Sequence, residues 1–231
     1  TYTIKLISGN DCGMNELERT ICITPEVIAN FSMSPPVACA PEVVTLTNTS
    51  SVPICSNSNN YTWEVTQANP ANCPSVLSPG WTFTSGNANS FEPVLSFTSP
   101  GLYTVQLTAS LQNVVPGALC TDDIVTKTIL IKDKPTTVLT EATICAGESI
   151  TLSPVVNNCY ATQAVDYFWN FGANPPTIIS STTAANPVLI FANAGTYNYT
   201  LTLSNECGSR VFSSSIIVNP RVEITASGPT A

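Results

Sequence analysis

One pattern occurs three times in this chain and limits what it can fold into. The stretches "TYTIKLIS" (1–8), "GLYTVQLTAS" (101–110) and "GTYNYTLTLS" (195–204) each set a tyrosine near the head of an alternating run. Tyr103 and Tyr197 stand 94 positions apart, and Tyr2 stands 101 before Tyr103. In the last copy Tyr197, Tyr199, Leu201 and Leu203 fall on one side of a period-2 ribbon, with Asn198, Thr200 and Thr202 on the other. A helix would mix the two sets around its axis. A strand with one buried and one wet face keeps them apart.

The repeat extends upstream. "CAPEVVTLT" (39–47) matches "CAGESITLS" (145–153), and "YTWEV" (61–65) matches "YFWNF" (167–171), both at an offset of 106. "EPVLSF" (92–97) matches "NPVLIF" (186–191) at 94 instead, so the earlier copy carries an insertion, placed near 71–81. In the last copy the pattern predicts about seven short strands, at roughly 136–143, 149–156, 165–171, 177–181, 187–191, 196–204 and 210–218. Thr, Val and Ile dominate these segments, and no long segment has helical period, so an all-β sandwich is expected.

The repeat boundaries predict four pieces: 1–25, 26–133, 134–220 and 221–231. The first reads as the closing strands of a repeat whose earlier strands are missing, and the last as the opening strand of another. Each junction carries a proline, which fixes its own φ and biases the residue before it to extended conformations. Consecutive sandwiches on such joints should form a semi-rigid array, each spanning on the order of 25–35 Å.

Composition narrows the function. Charged residues make up 10% of the chain and hydrophobic ones 43%, enough to build a core. Seven Lys and Arg against fifteen Asp and Glu give a net charge of −8. Such a surface suits neither nucleic acid nor anionic lipid, and no apolar run is long enough for a membrane-spanning helix. Nine cysteines without a C-x-x-C pair point to disulfides in an oxidising compartment. A zinc site is disfavoured, since the chain has no histidine and no closely spaced cysteine pair. The lack of histidine also removes any Ser-His-Asp or Cys-His arrangement within this chain. No phosphate-loop motif is present. Asp122, Asp123 and Asp166 lack the repeated acidic spacing of a calcium loop. Neither a cofactor nor a metal is expected.

"YFWNFG" followed by "NPVLIFANAGTYNYTLTLSNECGSRVFSSSIIV" resembles the PKD domain, an immunoglobulin-like sandwich. The likeness covers nearly all of 134–220 and, more loosely, 29–133. The "ICAGESITL" opening and the hairpin cysteine also resemble tandem modules of large secreted surface proteins of Bacteroidota, gliding-motility adhesins among them.

The resemblance carries several implications for residues. The B–C and F–G loops of an Ig-like sandwich share a pole. This implies the bridges Cys159–Cys207 and Cys55–Cys120, with Cys39–Cys73 as a third pair at the opposite pole. Cys145 then lacks a partner in its own repeat, the partner of Cys12 is expected before residue 1, and Cys22 is unassigned. Trp63 and Trp169 take the strand-C position and are expected in the core rather than on a sugar-binding face. Tyr2, Tyr103 and Tyr197 open strand F, where a tyrosine corner or simple packing is expected. Trp81 has no counterpart in the later repeat; covering an edge and offering a contact surface both remain open.

The expectation that follows is a non-catalytic structural and adhesive stalk segment of a large extracellular cell-surface protein. Its partners would be neighbouring repeats of the same long chain, with polysaccharide or other surface proteins as further partners. Nucleic acid and direct membrane insertion are not expected. The alternative is a set of accessory polysaccharide- or protein-binding modules of a secreted multidomain hydrolase.

Overall fold

The computed structural model describes residues 1–23, 25–51, 59–68, 73, 79–111, 122–178, 180–222 and 228. The described residues are all-β, without a helix long and apolar enough to cross a membrane. The chain divides into two compact units. The first holds residues 1–69 and 76–131, and the second holds 70–75 and 132–231.

The chain starts with a hairpin of β1 (Tyr2–Asn10) and β2 (Gly13–Ile21), paired from Tyr2↔Ile21 to Asn10↔Gly13. Every residue of both strands is exposed.

The first unit continues with β3 (Phe31–Met33), β4 (Val37–Cys39), β5 (Glu42–Asn48), β6 (Asn59–Ala68), β7 (Trp81–Ser85), β8 (Val94–Phe97), β9 (Gly101–Leu111) and β10 (Asp123–Lys132). Two four-stranded sheets result, ordered β4-β10-β9-β6 and β3-β5-β8-β7. Alternation decides what faces inward. Along β9, Tyr103, Val105, Leu107 and Ala109 are fully buried, and Thr104, Gln106 and Thr108 are not. The inward rows of the sheets meet in one core of Phe31, Val44, Leu46, Trp63, Leu95 and Phe97 with Tyr103, Val105 and Leu107 of β9, closed by Ile129 and Ile131 of β10. Burial at this level stabilises by about 1.5–3 kcal/mol per large side chain, which is what closes two sheets into a sandwich.

The second unit contains β11 (Thr136–Thr137), β12 (Ala142–Cys145), β13 (Ser149–Thr151), β14 (Val156–Asn157), β15 (Asp166–Asn170), β16 (Thr177–Ile178), β17 (Val188–Ile190), β18 (Gly195–Asn205) and β19 (Gly208–Asn219). One sheet runs β12-β19-β18-β15, a second runs β13-β17-β16, and β11 pairs with β14. Trp169, Leu189, Phe191, Leu201, Leu203 and Ile216 form its core.

Two expected strands are each broken in two. The span 136–143 becomes β11, antiparallel to β14, and β12, which runs parallel to β19. The span 149–156 becomes β13 and β14 on either side of Pro154, which has no N–H for a ladder. The remaining strands fall within a few residues of the sequence expectation.

Candidate functional site

The candidate site is built from the loops at the two ends of the second sandwich and the outer face between them. One end is organised by the turn Asn205-Glu206-Cys207-Gly208 joining β18 to β19. The Asn205 side chain accepts a hydrogen bond from Cys207 N (2.8 Å) and donates to Asp133 O (2.8 Å) and Asn158 Oδ1 (2.9 Å). Gly208 takes φ 110°, a conformation that L side chains rarely adopt, which lets the hairpin close in so few residues.

Glu206 reaches the loop before β15. Its Oε1 accepts from Thr162 N (2.7 Å), Thr162 Oγ1 (3.0 Å) and Lys132 Nζ (3.0 Å), and its Oε2 from Gln163 N (3.3 Å). The Thr162 backbone N–H leads in holding this carboxyl at about 2, well below 4.5; burial opposes the shift, and Lys132 assists it. Arg210 lies 3.6 Å from Asp133. Together these contacts hold Lys132 and Asp133, the 158–163 loop and the β18–β19 turn to one another.

The same turn opens the chain. Asn10-Asp11-Cys12-Gly13 repeats it, and Cys12 N donates to Asn10 Oδ1 at 2.9 Å. The pairing Tyr2↔Ile21 through Asn10↔Gly13 also repeats Tyr197↔Ile216 through Asn205↔Gly208, residue for residue. In the second unit the matching side chains, Tyr199, Leu201 and Ile216, are buried under the opposing sheet; in the first hairpin Ile4, Leu6 and Ile21 are exposed.

The cysteines form a different network from the one expected. Cys73 is bridged to Cys159, with Cα atoms 5.6 Å apart. Since a sulfur makes one disulfide, this bridge stands in place of the expected Cys159–Cys207 and Cys39–Cys73 pairs. The reason lies in the insertion. Cys73 belongs to the second compact unit, although the strands before and after it in sequence, β6 and β7, belong to the first. Cys73 therefore meets Cys159 rather than Cys39. Cys22, Cys39 and Cys207 are also disulfide-bonded. Cys12 and Cys145 are free thiols. The expected Cys55–Cys120 pair lies outside the described residues.

Both strand-C tryptophans are internal. Trp63 donates its indole N–H to Ser90 O (2.8 Å), and Trp169 to Ala184 O (2.9 Å). Trp81 is half-buried against the first core, edge-on to Phe83 at 5.3 Å.

The three strand-F tyrosines differ. Tyr103 is fully buried, its hydroxyl 2.8 Å from Ser99 O and 3.1 Å from Gly80 O, and it accepts from Gln67 Nε2 at 2.9 Å. Tyr197 is half-buried and donates only to Asn193 O (2.9 Å). Tyr2 is exposed. Ser99 and Asn193 each stand four residues before their tyrosine, the geometry of a tyrosine corner. Asp123, at the start of β10, accepts from Ala29 N (2.8 Å) and thus serves the backbone. Among the described residues no group of three acid, cysteine or histidine side chains is placed to hold a metal ion.

At the other end of the second unit lies a cleft of about 790 Å³ between the loop after β15 and the loop before β18, lined by Phe171, Asn174, Thr177, Asn193 and Tyr197 among others. A second cleft of about 440 Å³ adjoins it, sharing Gly172 and Asn198 and running on to Asn170, Thr200 and Ser213. Tyr199 borders the second cleft, and burial pushes its hydroxyl above the usual 10, opposed by a hydrogen bond with Ser214.

The PKD domain family model matches residues 132–218. No curated protein matches the chain. Similar solved structures include a three-domain titin fragment, I67–I69, in an E-to-A variant form. It has 11% identity and a TM-score of 0.48, with 95% of this chain and 74% of that one covered. The ectodomain of mouse nectin-like molecule 4 has 11% identity and a TM-score of 0.44, covering 96% and 83%. The insect immune protein hemolin has 16% identity and a TM-score of 0.45, covering 94% of this chain and 56% of its own.

Proposed function

We propose that this chain is a non-catalytic structural and adhesive segment of a large extracellular cell-surface protein, in which Ig/PKD-like sandwiches follow one another as a semi-rigid, disulfide-stabilised rod. The observation that carries the reading is the repeated hairpin: the register of β1–β2 recurs within β18–β19, around an Asn-(Asp/Glu)-Cys-Gly turn closed by the same hydrogen bond. A turn repeated at this level of detail marks a module used several times along one chain. In this reading residues 1–25 and 221–231 belong to modules flanking those at 26–133 and 134–220. The disulfides favour an oxidising compartment and limit how far the chain extends under load. Antiparallel strands paired over nine or more residues carry the tension. Narrowed by the resemblance of its repeats, the proposal is a bacterial surface adhesin of the Bacteroidota type, with a gliding-motility adhesin as its most specific form.

Single-molecule force spectroscopy tests the mechanical role. The chain held between its ends should give repeated unfolding peaks whose released length grows when reductant is added. Unfolding at forces no greater than those of a sandwich without disulfides, with no effect of reductant, would refute it. Dozens of similar repeats in the complete reading frame would support the rod, and a neighbouring hydrolase domain with few repeats would count against it.

A further inference from the structure

The outer face of the β15-β18-β19 sheet differs between the two units in a way that points to a ligand. On this face Phe168 is 54% exposed, although strand C otherwise sends its aromatic residues inward. The next rung is Asn170, Thr200 and Ser213, paired across the three strands, and the rung beyond is Asn198 and Ser215. Successive rungs on one face are about 7 Å apart, so the strip runs for about 14 Å. It leads into the two adjoining clefts, which share Gly172 and Asn198.

The chemistry of the strip is specific. No Asp, Glu, Lys or Arg lines either cleft. Glu141 borders the far rung, where Ser215 donates to it at 2.6 Å. Amide and hydroxyl side chains offer both donors and acceptors, and the one exposed ring offers an apolar face. The larger cleft falls within the usual volume range of small-molecule sites, roughly 300–1,000 Å³.

The first unit supplies an internal comparison. Where the second has Phe168 and Asn170, the first has Thr62 and Glu64 on the equivalent rungs. Its strand-F tyrosine is sealed as well. Gly80 packs so closely on Tyr103 that an added Cβ would lie 2.4 Å from the hydroxyl oxygen. Among the described residues no such segment covers Tyr197, which lines the open cleft.

We infer that this strip and its clefts form a binding site for an extended neutral oligosaccharide, with Phe168 stacking on a sugar ring and the Asn170, Asn198 and Ser213 side chains reading hydroxyl groups. An anionic polysaccharide would find no counter-charge there. A lipid would find too little apolar wall. The site is independent of the rod reading, since a module that bears load can carry it or lack it.

The test uses the full chain, ¹⁵N-labelled, titrated with cellohexaose, maltohexaose, xylohexaose, mannohexaose and a β-1,3-glucan hexamer, with oligogalacturonate as the charged control. The expected result is saturable shifts at residues 168–174, 193–200 and 213–215 with at least one neutral probe and none with oligogalacturonate. Phe168→Ala should weaken that binding at least tenfold, and Thr62→Ala should leave it unchanged. Asn198→Ala provides a second exposed variant should Phe168→Ala disturb the fold. Absence of binding by every neutral probe at millimolar concentration overturns the inference. So does binding that survives both variants, or a preference for oligogalacturonate. These outcomes leave the force measurements untouched, so the two readings fail separately.

Discussion

Replacing Tyr103 with Phe removes a single oxygen from the best-sealed polar site in the first unit. Among the described residues Ser99 O, Gly80 O and Gln67 Nε2 lie within hydrogen-bond distance of that oxygen. Their fates differ. Gly80 O still accepts from Thr98 N (2.8 Å), and Gln67 Nε2 still reaches Pro100 O (3.2 Å). Ser99 O loses its 2.8 Å partner inside a residue only 3% exposed. One buried carbonyl left unpaired costs about 1–3 kcal/mol, so a loss of about 2 kcal/mol is expected for Tyr103→Phe. Tyr197→Phe removes one bond to an exposed carbonyl that water replaces, and about 0.5 kcal/mol is expected. Urea denaturation followed by ¹⁹F spectra of 5-fluorotryptophan separates the two effects, because Trp63 and Trp81 report on the first unit and Trp169 on the second. Equal losses in the two variants, or a larger one for Tyr197→Phe, would refute the argument that sealing by Gly80 makes Tyr103 the costlier position.

Other consequences are testable in the same way. The Glu206 carboxyl, held at about 2 against an ordinary 4.5, contributes stability above about pH 4.5 that is lost as pH falls toward 2. The difference in stability between wild type and Glu206→Gln, followed by denaturant melts of the second unit, should therefore shrink over that window; a constant difference from pH 7 to pH 2 would refute the role given to the charge. Peptide mapping without reductant should recover Cys73 linked to Cys159, with Cys12 and Cys145 alkylated, whereas a Cys159–Cys207 peptide in its place would refute the connectivity. Cys73→Ser should lower the stability of the second unit by about 2–4 kcal/mol. Trp169→Ala empties the centre of the second core and should cost about 3–5 kcal/mol, lost from the Trp169 unit and measured by the thermal transition of Phe and Tyr signals; a shift of less than 1 kcal/mol would show that Trp169 is not packed as described.

Much of the architecture was legible in the residues because strand periodicity is local. Tyr103, Val105 and Leu107 announce an inward row, and no tertiary contact is needed to see that they share a face. The strand-C tryptophans and the three-times repeated strand F could be placed by comparing the chain with itself, and the turn of residues 10–13 could be matched to 205–208 by sequence alone. The division of strands A and B was partly visible, in that Pro154 interrupts the B strand, while the shift of β12 to a parallel pairing with β19 depends on which sheet has a free edge.

What tertiary structure alone decided is which side chains meet across long sequence distances and which faces remain open. Cys73 and Cys159 stand 86 residues apart, and nothing local to either says that an insertion in one repeat joins the unit formed by the next. Tyr103 is buried and Tyr197 only half-buried because Gly80 packs on the first hydroxyl, whereas among the described residues none does so at the second. Alternation sets Phe168 out of phase with the buried Trp169, but only the folded chain leaves it 54% exposed on the face that carries Asn170 and Thr200. Periodicity is written into neighbouring residues, and so the sequence by itself determined the strands and their inward rows. Bridges, seals and open grooves come from the packing of distant segments, and those were decided only when the chain folded.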